Sequence, residues 1–237
     1  MDFDFQPYFN RYELLANAAD RVFEQVQSQF PKEIECKLEC SDCCHAVFDV
    51  TLIEALYLNH RFREHFSGKD REAILDKANR ADRQAYKLKR AAYQKVEEGK
   101  DESEILIEMA GERIRCPLLN AQDRCDLYEY RPVTCRFYGV PTEIAGIAHT
   151  CGKSGFIKGK SYPTVHLEKM QKNLFALSFE IARDLQSKFT GLGEILVPIS
   201  MALLTDYDEE YLGIKPPEMS EKEGMENGKG SDKDPVI

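Results

Sequence analysis

The chain has 237 residues, 43% of them apolar and 31% charged, with a formal charge of -9 and a pI near 5.2. That length and balance suit a soluble globular protein able to bury a core unaided. An acidic surface repels phosphate, which argues against nucleic acid or an anionic membrane as the main partner.

Residues 8–30 place Tyr12, Leu15, Ala16, Ala19, Val22, Phe23, Val26 and Phe30 at steps of three and four, the pattern of one helical face, and Pro31 ends the run. A capping box at Thr51-Leu52-Ile53-Glu54 predicts a helix from Thr51 to about Phe66, broken by Ser67-Gly68. In the next segment Ile74, Ala78, Ala81, Ala85, Leu88 and Ala92 form a narrow alanine-rich seam on an otherwise charged helix. A short helix follows over residues 102–110. The glycine-rich stretch 139–163 reads as loops with room for one short hairpin. Residues 165–188 are apolar on more than one side, which marks that helix as the central one. The longest apolar run, residues 195–204, falls well short of the roughly 20 residues needed to cross a bilayer and reads as core.

From Asp206 onward there are ten Asp and Glu against four Lys. Residues 215–237, with Pro216-Pro217 and few large apolar side chains, are expected to be a disordered acidic tail. The reading is therefore mostly α. A single helical domain over residues 1–214 carries irregular cysteine-rich loops within 36–151.

Those loops hold the chemistry. Cys36, Cys40, Cys43 and Cys44 fall within nine residues, and Cys116, Cys125, Cys135 and Cys151 follow after 71 intervening residues. The N-terminus shows neither the apolar region nor the cleavage site of a signal peptide, so a cytoplasmic, reducing setting is expected. In that setting dense cysteines read as metal ligands rather than as a disulfide framework. Thiolates are soft donors that suit zinc, Cu(I) and iron–sulfur clusters rather than magnesium or calcium. Eight of them allow two four-ligand sites, and adjacent Cys43 and Cys44 fit two neighbouring sites or a bridging role better than one ion. That favours an assembly in which both cysteine groups contribute to both sites.

The second group reads Cys116-Pro117-Leu118, Cys125-Asp126-Leu127-Tyr128 leading to Arg131-Pro132, Cys135-Arg136-Phe137-Tyr138, and finally Cys151. With the run ending Cys43-Cys44, this string resembles the YkgJ-like cysteine-cluster family, whose domain is described as chelating zinc or iron. The resemblance covers residues 36–151. It implies a metal held by all eight cysteines and no particular reaction. The family spaces its first cysteines CxxCxxCC, whereas here three residues separate Cys36 from Cys40.

That departure opens a second class. The spacing Cys36-x3-Cys40-x2-Cys43 is also the one by which radical S-adenosylmethionine enzymes hold an iron–sulfur cluster, as in a protein methylase, although those enzymes build their site in a parallel barrel. In a third class, a protein-interaction module, the seam from Ile74 to Ala92 docks a partner. Around the cysteines, Arg124, Arg131 and Arg136 read either as surface residues or as cations offsetting the charge of about −2 on a zinc tetrathiolate. His45 and His149 offer imidazoles that eight thiolates leave unneeded. Glu54 is explained by its capping box, with an outer carboxylate role as the rival reading. Tyr128, Tyr130 and Tyr138 read as a hydrophobic cover over the site. Gly191-Leu192-Gly193 lacks the strand and third glycine of a dinucleotide loop.

Overall fold

The computed structural model describes residues 3–37, 40–144 and 146–214. The expected disordered tail lies outside the described residues. The fold is mostly helical. In chain order its elements are α1 (Gln6–Gln29), β1 (Asp49–Thr51), α2 (Leu52–His65), α3 (Gly68–Glu97), α4 (Glu102–Gly111) and α5 (Val133–Phe137). There follow β2 (Thr142–Ile144), β3 (Ile147–His149), β4 (Val165–His166), α6 (Leu167–Asp184), β5 (Leu196–Pro198) and α7 (Ile199–Leu204).

Helix α2 is the centre of the molecule. Nine of its residues are buried, and they face two cores. Leu52, Ile53, Leu56 and Tyr57 join Phe9, Tyr12, Ala16 and Ala19 of α1 and Leu174, Leu177 and Ile181 of α6 in the first core. Ala55, Leu58 and Phe62 join Ile74 and Ala78 of α3 and Ala202 and Leu203 of α7 in the second. This corrects the sequence-based expectation that the helix after residue 165 is central. Helix α6 buries Leu174, Leu177, Ser178 and Ile181 along one face, and Phe179 on the other side is 45% exposed.

Side chains satisfy the backbone groups that helix ends leave unpaired. The Thr51–Glu54 capping box forms at the start of α2, where Glu54 Oε2 accepts from Thr51 N at 3.1 Å. Ser178 of α6 accepts from Ile53 N at 3.2 Å. At the other end, Asn59 donates to the carbonyls of Ala202 and Thr205, which close α7.

Two small sheets complete the fold. Strands β1 and β5 pair antiparallel, with Val50 opposite Val197. The order β3-β2-β4 makes the second, in which the β2–β3 hairpin is the one expected in the glycine-rich stretch. Strand β4 adds to β2 in parallel. Among the described residues no strand exceeds three residues, so the parallel barrel of a radical enzyme is absent. The seam on α3 is also largely spoken for, since Ile74, Ala78, Ala81 and Ala85 are buried within the chain. Leu88 and Ala92 at its far end are half-buried, so the seam is covered over its first part. Gly193 lets the turn after α6 pass against it, because a Cβ built there would stand 2.6 Å from the Phe179 ring. No described helix is long and apolar enough to cross a membrane.

Candidate metal centre

Backbone pairing joins the two cysteine groups. The first supplies a 3-10 turn, Asp42–His45, whose carbonyls point at the segment beginning at Arg113. Cys116 N donates to Cys44 O at 2.7 Å and Ile114 N to His45 O at 3.0 Å, and Ala46 bridges Arg113 antiparallel. Arg113 reinforces the join with bonds to the Asp42 carbonyl at 2.8 Å and its carboxylate at 2.7 Å. A tight loop then brings Cys125 back beside Cys116. Leu119 bridges Cys125, and Asn120 Oδ1 accepts from Gln122 N and Arg124 N to hold the turn. Cys135 rides on α5, whose first N–H, from Val133, donates to Glu54 Oε1 at 3.0 Å. Glu54 thus ties two helix starts together, which accounts for this buried carboxylate without a ligand role.

Other contacts hold Cys36 and Cys151. Cys36 Sγ lies 3.6 Å from the Tyr138 carbonyl oxygen, and Cys151 Sγ lies 3.6 Å from Asp42 Oδ2. Gly155 N donates to Glu33 O at 2.7 Å, which keeps the loop after Cys151 against the segment before Cys36. Asp42 Oδ2 also accepts from the Tyr138 hydroxyl at 2.8 Å. Sequence reasoning passed over Asp42, whose position inside the cysteine run was the available signal.

Two cavities share this wall. One of about 60 Å³ is lined by Cys43, Cys44, Cys116, Cys125 and Cys135, with Ala81, Ala85 and Ile199 behind them. The other, about 290 Å³, is lined by Cys36, Cys40, Cys43, Cys44, Cys125 and Cys135, with Arg131 and Arg136. All eight cysteines are free, half-buried thiols. Cys43 and Cys44 sulfurs stand 4.0 Å apart. Among the described residues no three His, Cys, Asp or Glu side chains already form a closed ligand set for a metal ion. The donor chemistry nonetheless fits a thiophilic metal, since soft sulfur atoms from both groups face the same space.

Electrostatics set the protonation of the thiols. The bond donated by Cys44 lowers the Cys43 thiol to about 7 against the opposing effect of burial, with Arg131 assisting, and the same bond raises Cys44. Burial, reinforced by neighbouring thiolates, pushes Cys36 and Cys116 up to about 12, Cys125 to about 11 and Cys135 well above its ordinary value. Burial also raises Cys151. Asp42 is opposed by burial, yet bonding from Tyr138 and the Arg113 charge hold it below the usual carboxylate range.

The flanking residues divide. Arg136 is 6% exposed and binds Asp20, the Arg131 carbonyl and the Glu129 carbonyl. Arg131 donates to Tyr128 O and Asp20 and lies 4.0 Å over the Tyr128 ring. Both are thus locked beside the cavities by α1 rather than free on the surface, while Arg124 is exposed. Tyr128 and Tyr138 line the larger cavity and Tyr138 faces Asp42, whereas Tyr130 lines neither cavity and packs on His65 and Arg61. His45 Nδ1 lies 3.1 Å from the Ser41 carbonyl oxygen, and His149 is exposed on β3.

Soft donors gathered from two remote segments around two adjoining cavities define the class, a cysteine-cluster metal-binding protein. Residues 35–152, just under half of the sequence, match the model of the CxxCxxCC family, described as "Putative zinc- or iron-chelating domain". No curated protein matches the chain, and no solved structure does.

Proposed function

We propose that this protein chelates zinc or iron through Cys36, Cys40, Cys43, Cys44, Cys116, Cys125, Cys135 and Cys151, and that the metal fastens two distant loops onto the helical scaffold. The observation that carries the reading is the Cys44–Cys116 backbone bond, which sets thiols from two segments against common cavities. A bound ion supplies charge to offset the thiolates, and Arg131 and Arg136 add to that offset from fixed positions. Four thiolates leave no coordination position open, so the role is structural, or storage and transfer of metal. Because the ligands lie on loops and short turns rather than on the long helices, metal binding contributes to folding itself.

Anaerobic purification followed by joint measurement of zinc, iron, inorganic sulfide and free thiols tests this. Near two equivalents of zinc or iron with little sulfide is the expected result. Abundant sulfide would replace separate ions with an iron–sulfur cluster, and a metal-free protein containing disulfides would end the reading.

A further inference from the structure

The eight thiols do not share one environment. Cys116 and Cys125 pack against the second hydrophobic core, and the smaller cavity beside them is backed by Ala81, Ala85 and Ile199. Two β-bridges, Ala46 with Arg113 and Leu119 with Cys125, brace that side, and α5 delivers Cys135 to it. On the other side Cys151 follows β3, all three residues of which are exposed, and precedes exposed Gly152 and Lys153. There the carboxylate of Asp42 stands 3.6 Å from Cys151 Sγ and is tied through the Tyr138 hydroxyl to the residue whose carbonyl faces Cys36. Cys43 lines both cavities, as do Cys44, Cys125 and Cys135, and its charge acts on Cys36 as well as on Cys116, Cys125 and Cys135, so it stands between the two groups.

We infer that the centre consists of two unequal sites: an inner one on Cys44, Cys116, Cys125 and Cys135 that is retained, and an outer one on Cys36, Cys40, Cys151 and the Asp42 carboxylate that exchanges metal with solution, with Cys43 lying between the two groups. This inference rests on the chelation reading above. The physical basis is access and donor type. Ligands braced by β-bridges and covered by two helices must break packing before a competing chelator can reach them. The outer group opens through an exposed loop and includes a harder oxygen donor, which holds zinc less tightly than a fourth sulfur. The inner ion therefore serves the fold, and the outer ion is the one available to a metal-accepting partner.

The full chain, loaded anaerobically with two equivalents of zinc, is mixed with an excess of a chromogenic zinc chelator and release is followed in time. Two phases of about one equivalent each are expected. Cys151→Ser and Asp42→Asn should each remove the fast phase or speed it by at least about tenfold, while leaving the slow phase within about twofold. Cys125→Ser should instead abolish the slow phase. A single phase in the unsubstituted protein overturns the inference, as does slowing, loss or acceleration of the slow phase by Asp42→Asn. Loss of both equivalents in Asp42→Asn and Cys151→Ser alike also overturns it, because the sites would then not be separate. Failure of the unsubstituted protein to retain any zinc or iron is a different result, and it removes the chelation reading itself.

Discussion

Gly139 adopts φ +104°, and a Cβ built there would stand 2.3 Å from Cys36 Sγ. The glycine is therefore required both by the backbone and by the close approach of the thiol. Gly139→Ala should destabilise the fold by about 1–3 kcal/mol and displace Cys36. Urea denaturation with zinc counting on the same sample checks both effects. Glu54 is the residue whose loss should cost more. Its carboxylate accepts from Thr51 N, the Thr51 hydroxyl and Val133 N, all away from water. Glu54→Ala leaves those donors unsatisfied and should lower unfolding free energy by about 3 kcal/mol. A change below half that value would show that water replaces the carboxylate.

At the scale of elements, α1 is pinned to α6 at its exposed edge. Arg11 pairs with Glu180 through two bonds, the longer at 3.0 Å, and Tyr8 donates to Asp184. The Arg11 bond is the main cause that holds the Glu180 carboxyl below its ordinary value. A depressed folded value stabilises above the unfolded carboxyl range, and the contribution disappears as pH falls through the folded value. Because both partners are solvent-accessible, Arg11→Ala should cost no more than about 1 kcal/mol at neutral pH. The difference from the unsubstituted protein should shrink in acid, and urea midpoints taken at pH 7 and at pH 3 read it directly.

The helices were legible because their signals are local. The Thr51–Glu54 box marked the start of α2, and the four-three alternation after Ile74 marked α3. Pairings between remote segments leave no such trace. Neither the β1–β5 ladder nor the contact that makes α2 central can be read from periodicity, since a short helix buried all round resembles any apolar stretch. At the centre the thiols stood out by count and spacing. Asp42 did not, because a carboxylate in a loop is unremarked until Tyr138 and Arg113 are seen to meet it.

For the molecule as a whole, the two cores and the thiol loops are held by different means. Most residues of the first core lie on α1, α2 and α6, whose contacts are made by buried hydrocarbon and need no ligand. The segments around residues 40–46 and 113–126 contribute few side chains to either core and are joined by a handful of backbone bonds, among them Cys116 N to Cys44 O and Ile114 N to His45 O. Bound metal adds its binding free energy to those loops first and to the helices only through them. Stripping the metal with a chelator should therefore raise amide exchange at Ile114, Cys116 and Asp126 by at least about tenfold, while the buried stretch of α6 from Leu174 to Ile181 changes little. Hydrogen exchange resolved by residue distinguishes this from a uniform loss of protection. Uniform loss would mean that the helices themselves depend on the thiol centre, and protection unchanged everywhere would mean that the loops owe nothing to a metal.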